Sequence, residues 1–309
     1  MKIGVALVTF NRKNELQKAL VSYEEQIKKP EYIIVVNNNS TDGTEVFLEK
    51  WENEKSNIQK IVINLERNIG GSGGFYTALK KAIELDADWI WVADDDAYPD
   101  KLALKNIENF YFDKEEMISK NRIAAMCATV INNNMIDLQH RKRIKKGILK
   151  LSEREVDIKE YSKDFFELDL FSYVGTVINK KALIDVGLTE KEYFIYYDDT
   201  EHSIRLSKWG KILCLPNVRV IHDIFLQERD HINWKLYYGF RNRIISYKKH
   251  FSIKYYYYEY VRYLTKAVIG KIINKNDKYN DLLIAVLKDS KNDKTGIHNI
   301  YKPGWVYSK

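Results

Sequence analysis

The chain has 309 residues, 45% hydrophobic and 30% charged, which excludes wholesale disorder and leaves room for one large domain or two modest ones. Fifty Lys and Arg against 43 Asp and Glu give a formal charge of +7, a balance that suits an anionic partner such as nucleic acid, anionic lipid or a phosphorylated substrate. Cys127 and Cys214 lie in apolar stretches without a CxxC partner, which argues against a disulfide scaffold or zinc knuckle and for a reducing cytosol.

In chain order, Ile3–Thr9 is a short apolar run rich in branched residues, as a buried parallel strand should be. This start of the chain reads as a strand rather than a signal peptide. Asn11–Ile27 has helical spacing, with Leu16, Ala19, Leu20, Tyr23 and Ile27 on one face. Tyr32–Val36 is a second strand, and Thr41 is placed to cap a helix beginning at Thr44. Ile58–Leu65 is a third strand. A glycine-rich loop, Gly70–Gly74, then leads into a helix over Phe75–Leu85, and Trp89–Ala93 forms a fourth strand that runs into Asp94-Asp95-Asp96. This alternation predicts an α/β fold with a mostly parallel sheet and helices on both faces. Ligands of such sheets bind beyond the carboxyl ends of the strands, where all of these polar clusters fall.

The middle of the chain is less regular. A helix is expected over Leu104–Phe112 and strands over Ile123–Ile131 and Phe171–Ile178. Asp137–Asp164, with the basic run His140–Lys146, reads as a solvated loop or as a flap over an anionic substrate. A short helix over Lys180–Val186 and a longer one over Thr200–Trp209 precede two strands, Lys211–Leu215 and Val218–Ile221. From about Asn233 the chain turns helical, aromatic and basic. The predicted organisation is a domain over 1–225 and a C-terminal helical subdomain over 226–309. No apolar run reaches the ~18 residues a membrane span needs.

Four clusters carry chemistry. Three adjacent carboxylates repel one another unless a cation intervenes. Alternate residues of an extended segment point the same way, so Asp94 and Asp96 can converge on Mn²⁺ or Mg²⁺. His222, at the end of a late strand, is either structural or a further metal ligand. Asn68 and the stretch Gly70-Gly71-Ser72-Gly73-Gly74, between a strand and a helix, suit close backbone approach to phosphate. They do not form a GxGxxG fingerprint, which disfavours a dinucleotide dehydrogenase. Asp198 and Asp199 open a helix, and one of them can act as a general base, with Arg205 a turn along to orient a carboxylate.

Together these clusters resemble the family 2 glycosyltransferases of GT-A fold. Val8-Thr9-Phe10-Asn11-Arg12 resembles that family's opening nucleotide-binding turn, and the segment starting at Asn37 resembles its second nucleotide motif, although an aspartate is common at that first position. Asp94-Asp95-Asp96 resembles its DxD metal site, and Asp198-Asp199 its acidic pair, the second acid being the base. The glycine stretch, the triple Asp, the Tyr-Asp-Asp-Thr-Glu sequence and His222 are similar to bacterial galactofuranosyltransferases. The resemblance implies a divalent metal held by Asp94, Asp96 and His222. It implies that a UDP-sugar meets Thr9, Phe10, Asn11, Arg12, Asn37, Asn68, the glycine stretch and Asp95. It further implies inverting transfer of galactofuranose onto a glycan or polyprenyl-diphosphate-linked acceptor in cell-surface polysaccharide synthesis, with a dTDP-rhamnose enzyme as the rival. Expected partners are the nucleotide sugar, the acceptor, the inner face of the membrane through the C-terminal subdomain, and a second copy, but not nucleic acid. A nucleic-acid-binding protein, the reading from another class, leaves the acidic triplet unexplained.

Overall fold

A computed structural model describes residues 1–222, 233–273 and 277–306. The first half runs β1 (Ile3–Thr9), α1 (Lys13–Glu24), β2 (Tyr32–Asn37), α2 (Thr44–Asn53), β3 (Gln59–Asn64), α3 (Gly70–Ala82), β4 (Trp89–Asp94), β5 (Ala97–Pro99), α4 (Ala103–Asp113) and α5 (Glu115–Lys120). It continues with β6 (Ile123–Asn132), β7 (Met135–Ile136), β8 (Arg141–Lys146), β9 (Leu151–Glu155), β10 (Phe166–Leu168), β11 (Leu170–Phe171), β12 (Thr176–Asn179), α6 (Lys180–Val186), α7 (Asp198–Trp209) and β13 (Lys211–His222). Three helices close the described chain: α8 (Trp234–His250), α9 (Ile253–Ile272) and α10 (Asp277–Lys291).

Ten strands form one sheet whose main path is β10-β13-β6-β12-β4-β1-β2-β3. β1, β2, β3 and β4 pair in parallel, as do β6 and β13, while β12 runs antiparallel to both β4 and β6. Burial explains the apolar runs. Ile3, Val5 and Leu7 of β1 pack in one core with Trp89 and Trp91, whereas Ala6 and Val8 pack on the opposite face with Ile90 and Val92. Alternate side chains thus feed two cores, one under each helical layer. A third core joins the C-terminal helices through Tyr237, Tyr238, Ile244, Leu282 and Val286.

Several expectations need correction. Ile27 is exposed, because α1 ends at Glu24 before its stripe completes. The second helix is entered through Gly43 in left-handed geometry rather than capped by Thr41, and Asp42 Oδ1 accepts from the Thr44 amide at 3.2 Å. The glycine stretch belongs to α3 rather than to a loop before it. The strand expected over Phe171–Ile178 is two short strands, whereas the two expected over Lys211–Ile221 are one strand with a register shift between Leu215 and Arg219.

The basic run is not a solvated loop. It forms β8, which pairs with β9 and β11 in a small second sheet. Arg141 is fully buried and donates to the carbonyls of Ala128, His140, Ser172, Val174 and Gly175 at 2.7–3.3 Å. A guanidinium offered that many carbonyls needs no water. The boundary expected at 225/226 lies outside the described residues.

Candidate active site

Sheet register assembles the acidic end. Thr9 ends β1 beside Asn37, and Val8 pairs with Asp94, so the β1 turn and the acidic triplet emerge together. The chain reverses through Asp95 and Asp96 into β5, where Ala97 pairs with His222 at the end of β13. That antiparallel pairing brings an imidazole from late in the sequence beside Asp96, with Nε2 3.2 Å from Asp96 Oδ1. Ligand atoms of Asp94, Asp96 and His222 all lie within 4.8 Å of one another. Arg12 pairs with Asp96 and approaches Asp95 at 3.4 Å.

Burial governs the charges here. It pushes the Asp95 carboxyl up to about 7 and raises Asp94, with Asp96 adding repulsion. Burial opposes ionisation of Asp96 as well, but His222 and Arg12 outweigh it and hold that carboxyl low. Burial would also disfavour the charged imidazole, yet Asp96 and Asp94 outweigh it and raise His222. Two carboxylates are hard donors suited to Mn²⁺ or Mg²⁺, and the imidazole adds a borderline nitrogen that Mn²⁺ accepts more readily than Mg²⁺. His222 Nδ1 is buried without a hydrogen-bond partner among the described residues, so the cluster has a donor to spare and fits a cation.

A cleft of about 300 Å³ adjoins this cluster. It is lined by Thr9, Phe10, Arg12, Asn68, Gly70, Gly71, Asp94 and Asp95, all singled out in the sequence. Five other expected contacts do not line it. Asn37 is buried and spends its amide on Asn64 Oδ1 at 2.8 Å and on the Ser40 amide at 3.0 Å. Asn11 has φ +54° and accepts from the Thr41 amide at 2.7 Å, tying two turns together. A Cβ at Gly73 or Gly74 would meet Ile69 at 2.6 Å or Val8 at 2.5 Å, so these glycines let α3 pack closely on its surroundings. Ser72 is buried beneath the helix start, and its amide donates to the Phe194 carbonyl at 3.2 Å.

Sequence reading missed five other cleft residues: Phe194, Ile195, Trp234, Lys235 and Pro303. A sixth, Asn38, lies in the segment likened to the second nucleotide motif. It donates to Gly70 O at 3.0 Å and accepts from the Ile69 amide at 2.9 Å. The other five come from a turn and a C-terminal region without motifs.

Asp198 and Asp199 occupy the first turn of α7. Burial raises Asp198, with Asp199 adding to it, and burial likewise raises Asp199. The charge of Asp199 acts on Asp94 and that of Asp94 on Asp198, so the pair and the metal-type cluster share one electrostatic field. Hydrogen bonds from Thr200, and after them the charges of Lys142 and Arg141, oppose the rise at Asp199. Arg205 takes a different part from the one expected. It pairs with Glu201 and donates to the carbonyls of Val186, Gly187 and Leu188. It therefore anchors the end of α6 rather than orienting the acidic pair.

Residues 5–172 match the profile of glycosyl transferase family 2. The chain belongs to glycosyl transferase family 2. The transferase is 33% identical over 97 residues to galactofuranosyltransferase GlfT1 of Mycolicibacterium smegmatis, a stretch covering 31% of this chain and 30% of that protein. It is 24% identical over 225 residues to the dTDP-rhamnosyl transferase RfbF of Shigella flexneri, covering 72% of this chain and 69% of that protein. The match thus spans about a third of the GlfT1 length. Among solved structures, GalNAc-T7 with UDP, GalNAc and Mn²⁺ superposes with TM-score 0.61 at 16% identity, over 80% of this chain and 48% of that one. S. aureus TarS residues 1–349 with UDP-GlcNAc superpose with TM-score 0.59 at 16% identity, over 94% and 80%. These neighbours share the GT-A fold with the transferase.

Proposed function

We propose that the transferase moves galactofuranose from UDP-galactofuranose, with inversion, onto a glycan or polyprenyl-diphosphate-linked acceptor for cell-surface polysaccharide. The observation that carries this reading is the cluster of Asp94, Asp96 and His222 at the wall of a cleft in a family 2 member, with the Asp198-Asp199 pair near enough for its charge to act on Asp94. Asp94, Asp96 and His222 would hold Mn²⁺ or Mg²⁺, which would offset charge on the departing diphosphate. Arg12 and the start of α3, with Gly70 and Gly71 at the cleft, provide positive charge and close backbone approach on the phosphate side.

Asp199 takes the proton from an acceptor hydroxyl. The hydroxyl oxygen forms a bond to the anomeric carbon while the bond to UDP breaks and UDP leaves with the electron pair. Asp198 is the more strongly buried of the two, which suits a protonated neighbour that keeps one negative charge on the pair.

The GlfT1 likeness supports the furanose donor, whereas the longer RfbF alignment supports dTDP-rhamnose as the second reading. A donor screen with Mn²⁺ and a lipid-linked glycan acceptor separates them: UDP released from UDP-galactofuranose supports the first, and dTDP released from dTDP-rhamnose replaces it with the second.

The domain reading, a catalytic unit over 1–225 and a helical one over 226–309, extends to the membrane. Residues 233–309 hold 16 Lys and Arg against 5 Asp and Glu, whereas the first 232 hold 34 against 38. α9 exposes Ile253, Tyr257, Val261, Leu264, Val268 and Ile272 at three- and four-residue intervals. No described helix is long and apolar enough to cross a membrane. An apolar stripe on a basic subdomain suits the surface of an anionic bilayer on its cytoplasmic side. Flotation with anionic but not neutral vesicles, lost in Val261→Glu/Val268→Glu, is the expected result. A stable dimer broken by the same pair would assign the stripe to a second copy.

A further inference from the structure

The turn that leads into the acidic pair is held in an unusual backbone geometry. Phe194, Tyr196 and Tyr197 have φ of +68°, +63° and +70°, the left-handed region that side chains other than glycine rarely adopt. Three such residues within four positions persist only when their surroundings over-determine them. The same turn meets the cleft, α3 and the acidic pair: Phe194 and Ile195 line the cleft, the Phe194 carbonyl receives the Ser72 amide of α3, and Tyr197 immediately precedes Asp198.

What over-determines it lies in α8. Asn242 is fully buried, and its Nδ2 donates among three carbonyls of this turn, Tyr193 at 3.1 Å, Ile195 at 3.1 Å and Tyr196 at 2.8 Å. Its Oδ1 accepts from Arg241 Nε at 3.0 Å, which fixes the orientation of the amide, since an arginine can only donate. Arg241, also buried, donates to Tyr193 O at 3.2 Å and to Gly296 O at 2.7 Å. One side chain thus gathers carbonyls that a relaxed chain would direct apart, and its neighbour locks it.

We infer that Asn242, oriented by Arg241, is a positioning residue of the transferase: it holds the Tyr193–Tyr197 turn in its left-handed course and so aims Asp198 and Asp199 into the cleft. The inference rests on the reading of that pair as the acid-base machinery. It assigns the C-terminal helices a part in the chemistry, although neither residue touches substrate. The metal side of the donor site is built on β4 and the acids at its end, to which neither Asn242 nor this turn hydrogen-bonds among the described residues, so loss of Asn242 should lower turnover more than metal-dependent UDP binding.

Asn242→Asp keeps the shape and the bond from Arg241 while replacing the donor with an acceptor. Per folded enzyme, kcat should fall about 100-fold, the scale of a displacement of about 1 Å at a catalytic group, while UDP affinity stays within about threefold. Tyr196→Gly, which adopts positive φ without steric cost, should restore part of the turnover when added to Asn242→Asp. A role limited to core stability would instead lower the folded fraction and leave kcat per folded site unchanged.

Hydrogen exchange supplies an arm that needs no turnover. Amides of residues 194–199 should exchange faster in Asn242→Asp while β1 and β4 remain protected. If Asn242→Asp does not fold, Arg241→Lys carries both measurements, because it retains the charge and loses the fork that reaches Tyr193 and Asn242. Unchanged exchange over 194–199, or kcat per folded site within threefold of the parent, overturns the inference. Absence of nucleotide-sugar turnover in the parent overturns instead the functional reading beneath it, and the exchange arm still decides whether Asn242 holds the turn.

Discussion

Two adjacent glycines should respond to substitution in opposite ways. Gly70 has φ +78°, and a Cβ there would lie 2.0 Å from the Phe194 carbonyl oxygen and 2.6 Å from its carbonyl carbon. The obstacle is backbone, so it cannot be relieved by rotating a side chain. Gly70→Ala incurs about 1–2 kcal/mol for the left-handed conformation and about 1–3 kcal/mol for forced displacement. At roughly 2–4 °C per kcal/mol, the melting temperature should drop by about 4–20 °C. Displacing Phe194 also disturbs the turn into Asp198, so kcat should fall. Gly71 has no neighbour within 4 Å of a Cβ and faces the cleft. Gly71→Val should therefore melt within about 2 °C of the parent, since valine is no worse than glycine in a helix, and raise the donor KM by filling space the donor needs. Scanning calorimetry paired with donor kinetics checks both variants. A Gly71→Val protein that melts as low as Gly70→Ala while keeping the parent KM would refute the reasoning, because that glycine would then be structural.

Asp199→Asn should leave the fold and UDP affinity near the parent values and lower kcat by about 10²–10⁴, the usual worth of a general base; full activity here with loss in Asp198→Asn would reverse the two roles. His202 is buried and lowered to about 3 by burial first, with its Nδ1 2.7 Å from the Tyr173 hydroxyl. Its folded value lies below its unfolded value of about 6.5, so its share of stability is present above pH 6.5 and is lost as pH falls toward 3. Urea midpoints should report about 2 kcal/mol lost between pH 6.5 and pH 5, and a smaller loss in His202→Gln. Glu153 accepts from Tyr197 and from the Tyr247 hydroxyl at 2.8 Å, joining β9 to the turn before Asp198 and to α8. Glu153→Leu should lower the melting temperature and kcat together, and a change in melting temperature alone would separate this cluster from the turn.

Legibility in the sequence tracked how local the cause was. β1, β2 and β4 were plain because a strand buried on both faces must be a short apolar run, and the acids after β4 were plain because three carboxylates in a row demand an explanation. His222 was only half legible: its neighbour in sequence says nothing, and its place beside Asp96 comes from antiparallel pairing with Ala97. The glycine stretch looked uniform, yet Gly73 and Gly74 serve packing, Gly70 serves a backbone crossing, and Gly71 alone opens freely to the cleft. Arg141 read as surface charge because composition cannot reveal five carbonyls converging on it. Asn242 carried no local signal at all, since its carbonyl partners lie at the far end of a separate turn.

On the proposed function, a nucleotide sugar's diphosphate would be held through a divalent cation at Asp94, Asp96 and His222. Calorimetric titration of UDP into the protein with Mn²⁺ and after EDTA treatment tests it most directly, with Asp96→Ala in parallel. The parent should bind UDP tightly only with Mn²⁺, and Asp96→Ala should bind it weakly whether or not metal is present. Equal UDP affinity in the parent with and without Mn²⁺ would contradict it.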